Sequence, residues 1–209
     1  MLRRILFIAL SVCLAAPILA QTPPGWRVRI DRSQNAQDPD GSPDLRFVTM
    51  GTGLHVTGGP AGTFWNPANT PTGNYTVKAA FTLMKPSPHT NYYGLVFGGE
   101  YLEGAGQNYI YFLIAQNGNY LVKHRAGEAV HDVQVATPNS AIRRPDANGR
   151  SSNELEVRVA GNTISYVVNG AVVHTTPKTG MTAKTDGLAG LRVNHLLDVH
   201  VEGFAVTRM

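Results

Sequence analysis

Tyr109-Ile-Tyr-Phe-Leu-Ile-Ala-Gln116, Asn117-Gly118 and Asn119-Tyr-Leu-Val-Lys-His-Arg125 follow one another without interruption. Two runs rich in β-branched and aromatic residues flank an Asn-Gly pair. That pair is favoured in two-residue hairpin turns because both central positions take positive φ. The stretch therefore predicts a β-hairpin in which Gln116 faces Asn119, Leu113 faces Val122 and Tyr111 faces His124. This register puts Tyr109, Tyr111, Leu113, Tyr120, Val122 and His124 on one sheet face. Ile110, Phe112, Ile114 and Leu121 fall on the other, which is the candidate core.

The same period-two pattern extends in both directions. Asn153 to Ala160, a Gly161-Asn162 turn, Thr163 to Val168, an Asn169-Gly170 turn and Ala171 to Thr175 predict a three-strand meander. Leu155, Val157, Val159, Ile164, Tyr166, Val168 and Val173 share its dry face, and Glu154, Glu156, Arg158, Ser165 and His174 its wet one. Further strands are predicted at Tyr75 to Met84, Tyr93 to Gly98, Gly190 to Asn194 and Leu197 to Thr207. The last holds a bulge at Glu202-Gly203, where the parity of its apolar residues changes. Short strands at Phe47-Val-Thr and Leu54-His-Val bring the count to about ten or more. No segment beyond the first twenty residues keeps apolar residues at i, i+3, i+4 and i+7 for three turns. The 22 Gly and 13 Pro residues supply turns between strands. The fold class is all-β, a two-sheet antiparallel sandwich.

The first twenty residues read as an export signal. Arg3 and Arg4 are its charged start, Ile5 to Leu14 its apolar stretch and Ile18-Leu19-Ala20 its small-residue exit. The apolar stretch is too short to cross a bilayer of about 30 Å, and no later stretch approaches about 18 apolar residues. The mature chain is expected to begin near Gln21, to have no membrane span and to be secreted or periplasmic. The only cysteine, Cys13, lies within the leader, and Val12 before it does not suit a lipoprotein signal. Stability must then come from burial rather than disulfides, which argues for residues 21–209 as one domain. Of 18 basic residues two leave with the leader, so 16 remain against 14 acidic ones. They are scattered, and the footprint expected of a nucleic-acid partner is missing.

Tyr93-Gly-Leu-Val-Phe-Gly-Gly99, Tyr109-Ile-Tyr-Phe-Leu-Ile114 with Gly118-Asn-Tyr120, Asn153-Glu-Leu-Glu-Val157, Tyr166-Val-Val-Asn-Gly170, Gly190-Leu-Arg-Val193 and Phe204-Ala-Val206 occur in that order. The series, from about Gly25 to the C-terminus, resembles the concanavalin A-like (laminin G-like) superfamily. That group includes lectin modules, glucanases and exported bacterial 3-keto-disaccharide hydrolase-like domains. The resemblance implies a jelly-roll sandwich with a ligand on the concave sheet. The chain departs from it by having no Glu-x-Asp-x-x-Glu strand of the glucanase type and no Asn-Ser-Gly segment of the hydrolase-like group.

Tyr109, Tyr111, Tyr120 and His124 are candidate ligand-binding residues, because aromatic faces stack on sugar C–H faces and hydroxyl or imidazole groups add directional hydrogen bonds. The alternative is that they pack beneath a loop or strand. Tyr92 and Tyr93 extend the candidate face, and Trp65 is either a rim aromatic or a plug over the core. Glu100 and Glu103 are the candidate catalytic pair, since glycoside cleavage needs two carboxyl groups about 5 to 9.5 Å apart. Asp38, Asp40 and Asp44 form a candidate Ca²⁺ loop or an ordinary turn. Asp198, His200 and Glu202 alternate along one strand but lie roughly 7 Å apart, which suits a solvated face better than a metal site. The leading expectation is an exported module that binds carbohydrate or another envelope polymer. A glycoside hydrolase-like enzyme and a structural or adhesion domain are the alternatives.

Overall fold

The computed structural model describes residues 22–31 and 44–209, so the leader, Asp38 and Asp40 lie outside the described residues. In chain order the strands are β1 (Arg27–Asp31), β2 (Arg46–Met50), β3 (Gly53–Thr57), β4 (Ala61–Trp65), β5 (Tyr75–Lys85), β6 (Tyr92–Glu100) and β7 (Asn108–Ala115). They continue as β8 (Asn119–Ala126), β9 (Ala129–Pro138), β10 (Ser151–Ala160), β11 (Thr163–Val168), β12 (Ala171–Pro177), β13 (Leu188–Val193) and β14 (Asp198–Arg208). Sheet A has the order β1-β4-β13-β6-β7-β8-β9, and sheet B the order β12-β11-β10-β5-β14-β3-β2. All their pairings are antiparallel. The architecture is an all-β jelly-roll sandwich.

The apolar layer between the sheets draws on both. Phe64, Tyr93, Leu95, Phe112 and Leu191 enter it from sheet A, and Val77, Phe81, Leu155, Val157 and Tyr166 from sheet B. Burying each large side chain contributes about 1.5–3 kcal/mol, which is how a chain without cross-links can hold this shape. The predicted meander forms, with Ala160 opposite Thr163 and Val168 opposite Ala171. Asn169 (φ 50) and Gly170 (φ 84) make its second turn in the left-handed region that Asn-Gly pairs favour. The bulge in β14 is also present, as a register shift between Glu202 and Ala205.

The central hairpin departs from the predicted register by one residue. Its loop has three residues, Gln116, Asn117 and Gly118. The Gly118 N–H donates to the Ala115 carbonyl at 3.0 Å, and Gly118 alone in the loop takes a positive φ, 85. This is a type I turn closed by a left-handed glycine, the usual three-residue solution. Leu113 therefore faces Leu121, Tyr111 faces Lys123 and Ile110 faces His124. A one-residue slip moves the whole second strand to the opposite face. Tyr120 and Val122 join Ile110, Phe112 and Ile114 between the sheets, while Leu121 joins Tyr109, Tyr111 and Leu113 outside.

A second correction concerns His174. A bulge between Tyr166 and Val167 puts it directly opposite Tyr166, on whose ring it stacks at 5.8 Å, instead of on the wet face. Three strands, β1, β4 and β9, are not among those predicted. In β4 all five residues are buried, so there is no alternation to read. The edge strand β9 is mostly exposed and has two register shifts against β8. The third, β1, pairs only with β4.

Candidate functional site

The outer face of sheet A, turned away from the inter-sheet layer, carries its own apolar cluster. Trp65, Val96, Leu102, Tyr109, Tyr111, Leu113 and Leu121 are buried in it. Cross-strand register arranges these side chains in rows. One row reads Arg29, Thr63, Arg192, Gly94, Leu113, Leu121, and the next Arg27, Trp65, Gly190, Val96, Tyr111, Lys123, Asp132.

Arg192 organises the first row. Only 9% exposed, it places Nη1 2.7 Å from Asp31 Oδ2, 2.9 Å from Thr63 Oγ1 and 3.1 Å from the Tyr109 hydroxyl. Its guanidinium carbon lies 5.6 Å from the Tyr111 ring centroid, in cation–π range. Burial alone disfavours the charge, and Tyr109 and the Asp31 carboxylate more than offset that. Burial likewise works to raise the pKa of Asp31, but the Arg192 and Arg29 guanidiniums hold it below the usual carboxylate value. Burial pushes the Tyr111 phenol up to about 12.

The loop between β6 and β7 covers part of this face. Leu102 packs into the apolar cluster, the Arg29 Nη1 group donates to the Gly104 carbonyl at 2.6 Å, and Arg27 pairs with Glu103. In the orientation that satisfies both ends of its amide, buried Gln107 accepts from Arg125 Nη2 at 3.2 Å and Arg29 Nη2 at 3.1 Å. Tyr109, at 1% exposure, lies under this assembly.

Beside it an open pocket of about 270 Å³ remains, lined among others by Tyr92, Tyr111, Leu113, Lys123, Arg192 and Asn194. Gly94 lies in the row between Arg192 and Leu113. A Cβ there would approach the Phe112 carbonyl oxygen to 2.3 Å and Leu155 Cδ2 of the inter-sheet layer to 2.9 Å, so close packing against the neighbouring strand and the core requires glycine. The pocket combines two aromatic rings, two amides (Asn91 and Asn194) and two cations in a recess. Aromatic surface with a few directional polar groups is the usual composition of a small-ligand site.

The structure divides the candidate ligand-binding residues. Tyr111, 6% exposed, forms a pocket wall, but Tyr109 is a buried support of Arg192 rather than an open platform. Tyr93 and Tyr120 are in the inter-sheet layer, because β6 and β8 turn those positions inward. His124 shares their side of the sheet, near Asn108 Oδ1 at 3.1 Å and stacked on His131. Trp65 is neither rim nor end plug but an interior member of the outer-face cluster.

Glu100, half-buried, pairs with exposed Lys184 at 3.3 Å and exposed Glu103 pairs with Arg27, and neither glutamate lines the pocket. Asp198 and His200 lie on sheet B, where Asp198 meets His55 at 3.1 Å. Among the described residues no group of three or more His, Cys, Asp or Glu is arranged to hold a metal. Asp44 is exposed, and its proposed Ca²⁺ partners fall outside the described residues. Sequence reasoning missed Arg192, Asp31, Lys123, Asn91 and Asn194. A charged residue between Leu191 and Val193 in an otherwise apolar strand was the available signal for Arg192.

No protein-family model and no curated protein matches the sequence. Solved structures do match. Carbohydrate binding module CBM66 from Bacillus subtilis superposes with a TM-score of 0.62 at 10% identity, over 88% of this chain and 95% of that one. A Bacillus subtilis protein of unknown function with a galectin-like fold gives 0.55 at 15%, over 88% and 89%. A putative glycosyl hydrolase from Parabacteroides distasonis gives 0.56 at 14%, over 88% and 100%. The likeness is one of fold, a jelly-roll sandwich shared at low identity. In this sandwich, sheet A carries the pocket and sheet B carries the His55, Asp198 and His200 group on its far side. No helix among the described residues is long and apolar enough to cross a membrane.

Proposed function

We propose that the chain is an exported module that binds saccharide, free or in an envelope polymer, in the pocket on the outer face of sheet A. One observation carries the reading: a recess on this face has Tyr92 and Tyr111 on its walls and Asn91 and Asn194 among its hydrogen-bonding groups. A pyranose has apolar C–H faces and a hydroxyl equator, so it matches ring surfaces flanked by amides. The volume suits one sugar unit or a chain end better than a long cleft. The carbohydrate-binding name of one structural neighbour points the same way. Arg3, Arg4 and the apolar stretch after them support export.

The test is a glycan-array screen of the processed protein, with titration of retained glycans by calorimetry. Its N-terminus is expected to read Gln21, and an unprocessed chain held in the cytoplasm would remove the export half of the proposal. Tyr92→Ala is expected to weaken binding about tenfold, or about 1.4 kcal/mol, without changing the melting temperature. Retention of no glycan by the folded protein would remove the binding half.

A further inference from the structure

Building on the saccharide reading, we infer that the pocket selects an acidic saccharide, with Lys123 and Arg192 receiving its anionic group. The lining includes two cations and no carboxylate. The acids that balance these cations are placed elsewhere: Asp132 meets Lys123 at 3.1 Å, and Asp31 meets Arg192 at 2.7 Å, while neither acid lines the pocket. A recess built for neutral sugar commonly uses carboxylates to accept hydroxyl protons. Here the acceptors are amides and hydroxyls, and the strong donors are cationic.

Arg192 is held in advance of any ligand. Among the described residues its bonds to Asp31, Thr63 and Tyr109 all use Nη1, and they fix the guanidinium plane from that side. A planar cation fixed in this way suits a carboxylate or sulfate, and little rotamer freedom is lost on binding. Lys123 complements it as a mobile point charge. Its partner Asp132 is half-exposed, so the pair is weakly held and exchangeable for a ligand anion. Across the outer face and its covering loop, Arg27, Arg29, Arg125, Arg192 and Lys123 stand against Asp31, Glu103 and Asp132. Among the described residues the excess is positive, so a polyanionic chain meets an attractive field as it approaches.

The experiment titrates the folded protein with uronate oligosaccharides, their carboxyl-reduced neutral counterparts and a sulfated galactan, at low and high salt. The expected result is at least tenfold tighter binding of an acidic oligosaccharide than of its neutral counterpart, weakening as salt rises. Preference for the uronate assigns a carboxylate, and preference for the galactan assigns a sulfate. Lys123→Gln is the decisive variant because its side chain is partly exposed. It should lose the acid preference while keeping the wild-type melting temperature. Arg192→Gln is a weaker test, since it also removes a buried support. Equal binding of acidic and neutral forms would overturn the inference and leave the saccharide reading standing. Retention of no glycan in the array or in these titrations would overturn both.

Discussion

At the residue scale, one buried guanidinium connects stability with the proposed binding function. Arg192 bridges β13 to Asp31 on β1, Thr63 on β4 and Tyr109 on β7, so a single side chain ties together strands from across sheet A. Taking both charges out of water is costly, and the geometry repays it only while the pair is intact. Asp31→Ala should therefore cost about 3–5 kcal/mol of unfolding free energy in urea titration, because it leaves an uncompensated cation beneath the pocket. A loss below about 1 kcal/mol would mean that water or a neighbouring group had replaced the carboxylate.

At the element scale, the central hairpin shows how a correct motif gives a wrong face. Both strands and the Asn117-Gly118 turn were legible, because β-branched alternation and turn chemistry are local properties. Loop length was not legible, since Asn-Gly fits both a two-residue turn and the end of a three-residue one. That single residue decided whether Tyr120 and His124 stand with Tyr111 or behind it. The sheet B meander escaped the problem at Ala160–Thr163 because its Gly161-Asn162 loop has two residues. The pocket itself was hardly legible: its rows join residues from strands far apart in sequence, and β4 gives no periodic signal. Gly118→Ala tests the loop. Forcing a Cβ onto φ 85, with the Arg144 Nε 2.7 Å from it, should cost about 1–2 kcal/mol, with the loss measured by thermal or urea unfolding. An unchanged stability would imply that the loop had moved to another turn type.

At the scale of the whole molecule, the histidines make the fold sensitive to mild acid. Six of the seven stand in facing pairs, His55 with His200, His89 with His195 and His124 with His131, and the seventh, His174, stacks between Tyr120 and Tyr166. Burial lowers the pKa of His55, His124 and His174 below the ordinary 6.5. For His55 the Asp198 carboxylate opposes this, while His200 and Arg46 add to it; for His124 the facing His131 adds to it. A group with a depressed folded-state value binds fewer protons folded than unfolded, so stability is full above about pH 6.5 and falls as pH drops through the folded value. The depressed carboxylates act in a separate window. Asp31 beside Arg192, Asp146 accepting the Arg150 and Asn148 N–H groups and Glu156 on Arg158 lose their contribution only below about pH 4. The melting temperature should therefore drop in two stages, the first as pH falls below about 6.5 and the second below about pH 4. Combining His55→Gln, His124→Gln and His174→Phe should flatten the first stage and leave the second in place. A wild-type melting temperature constant from pH 7.5 to 5 would rule out the histidines as the source of acid sensitivity.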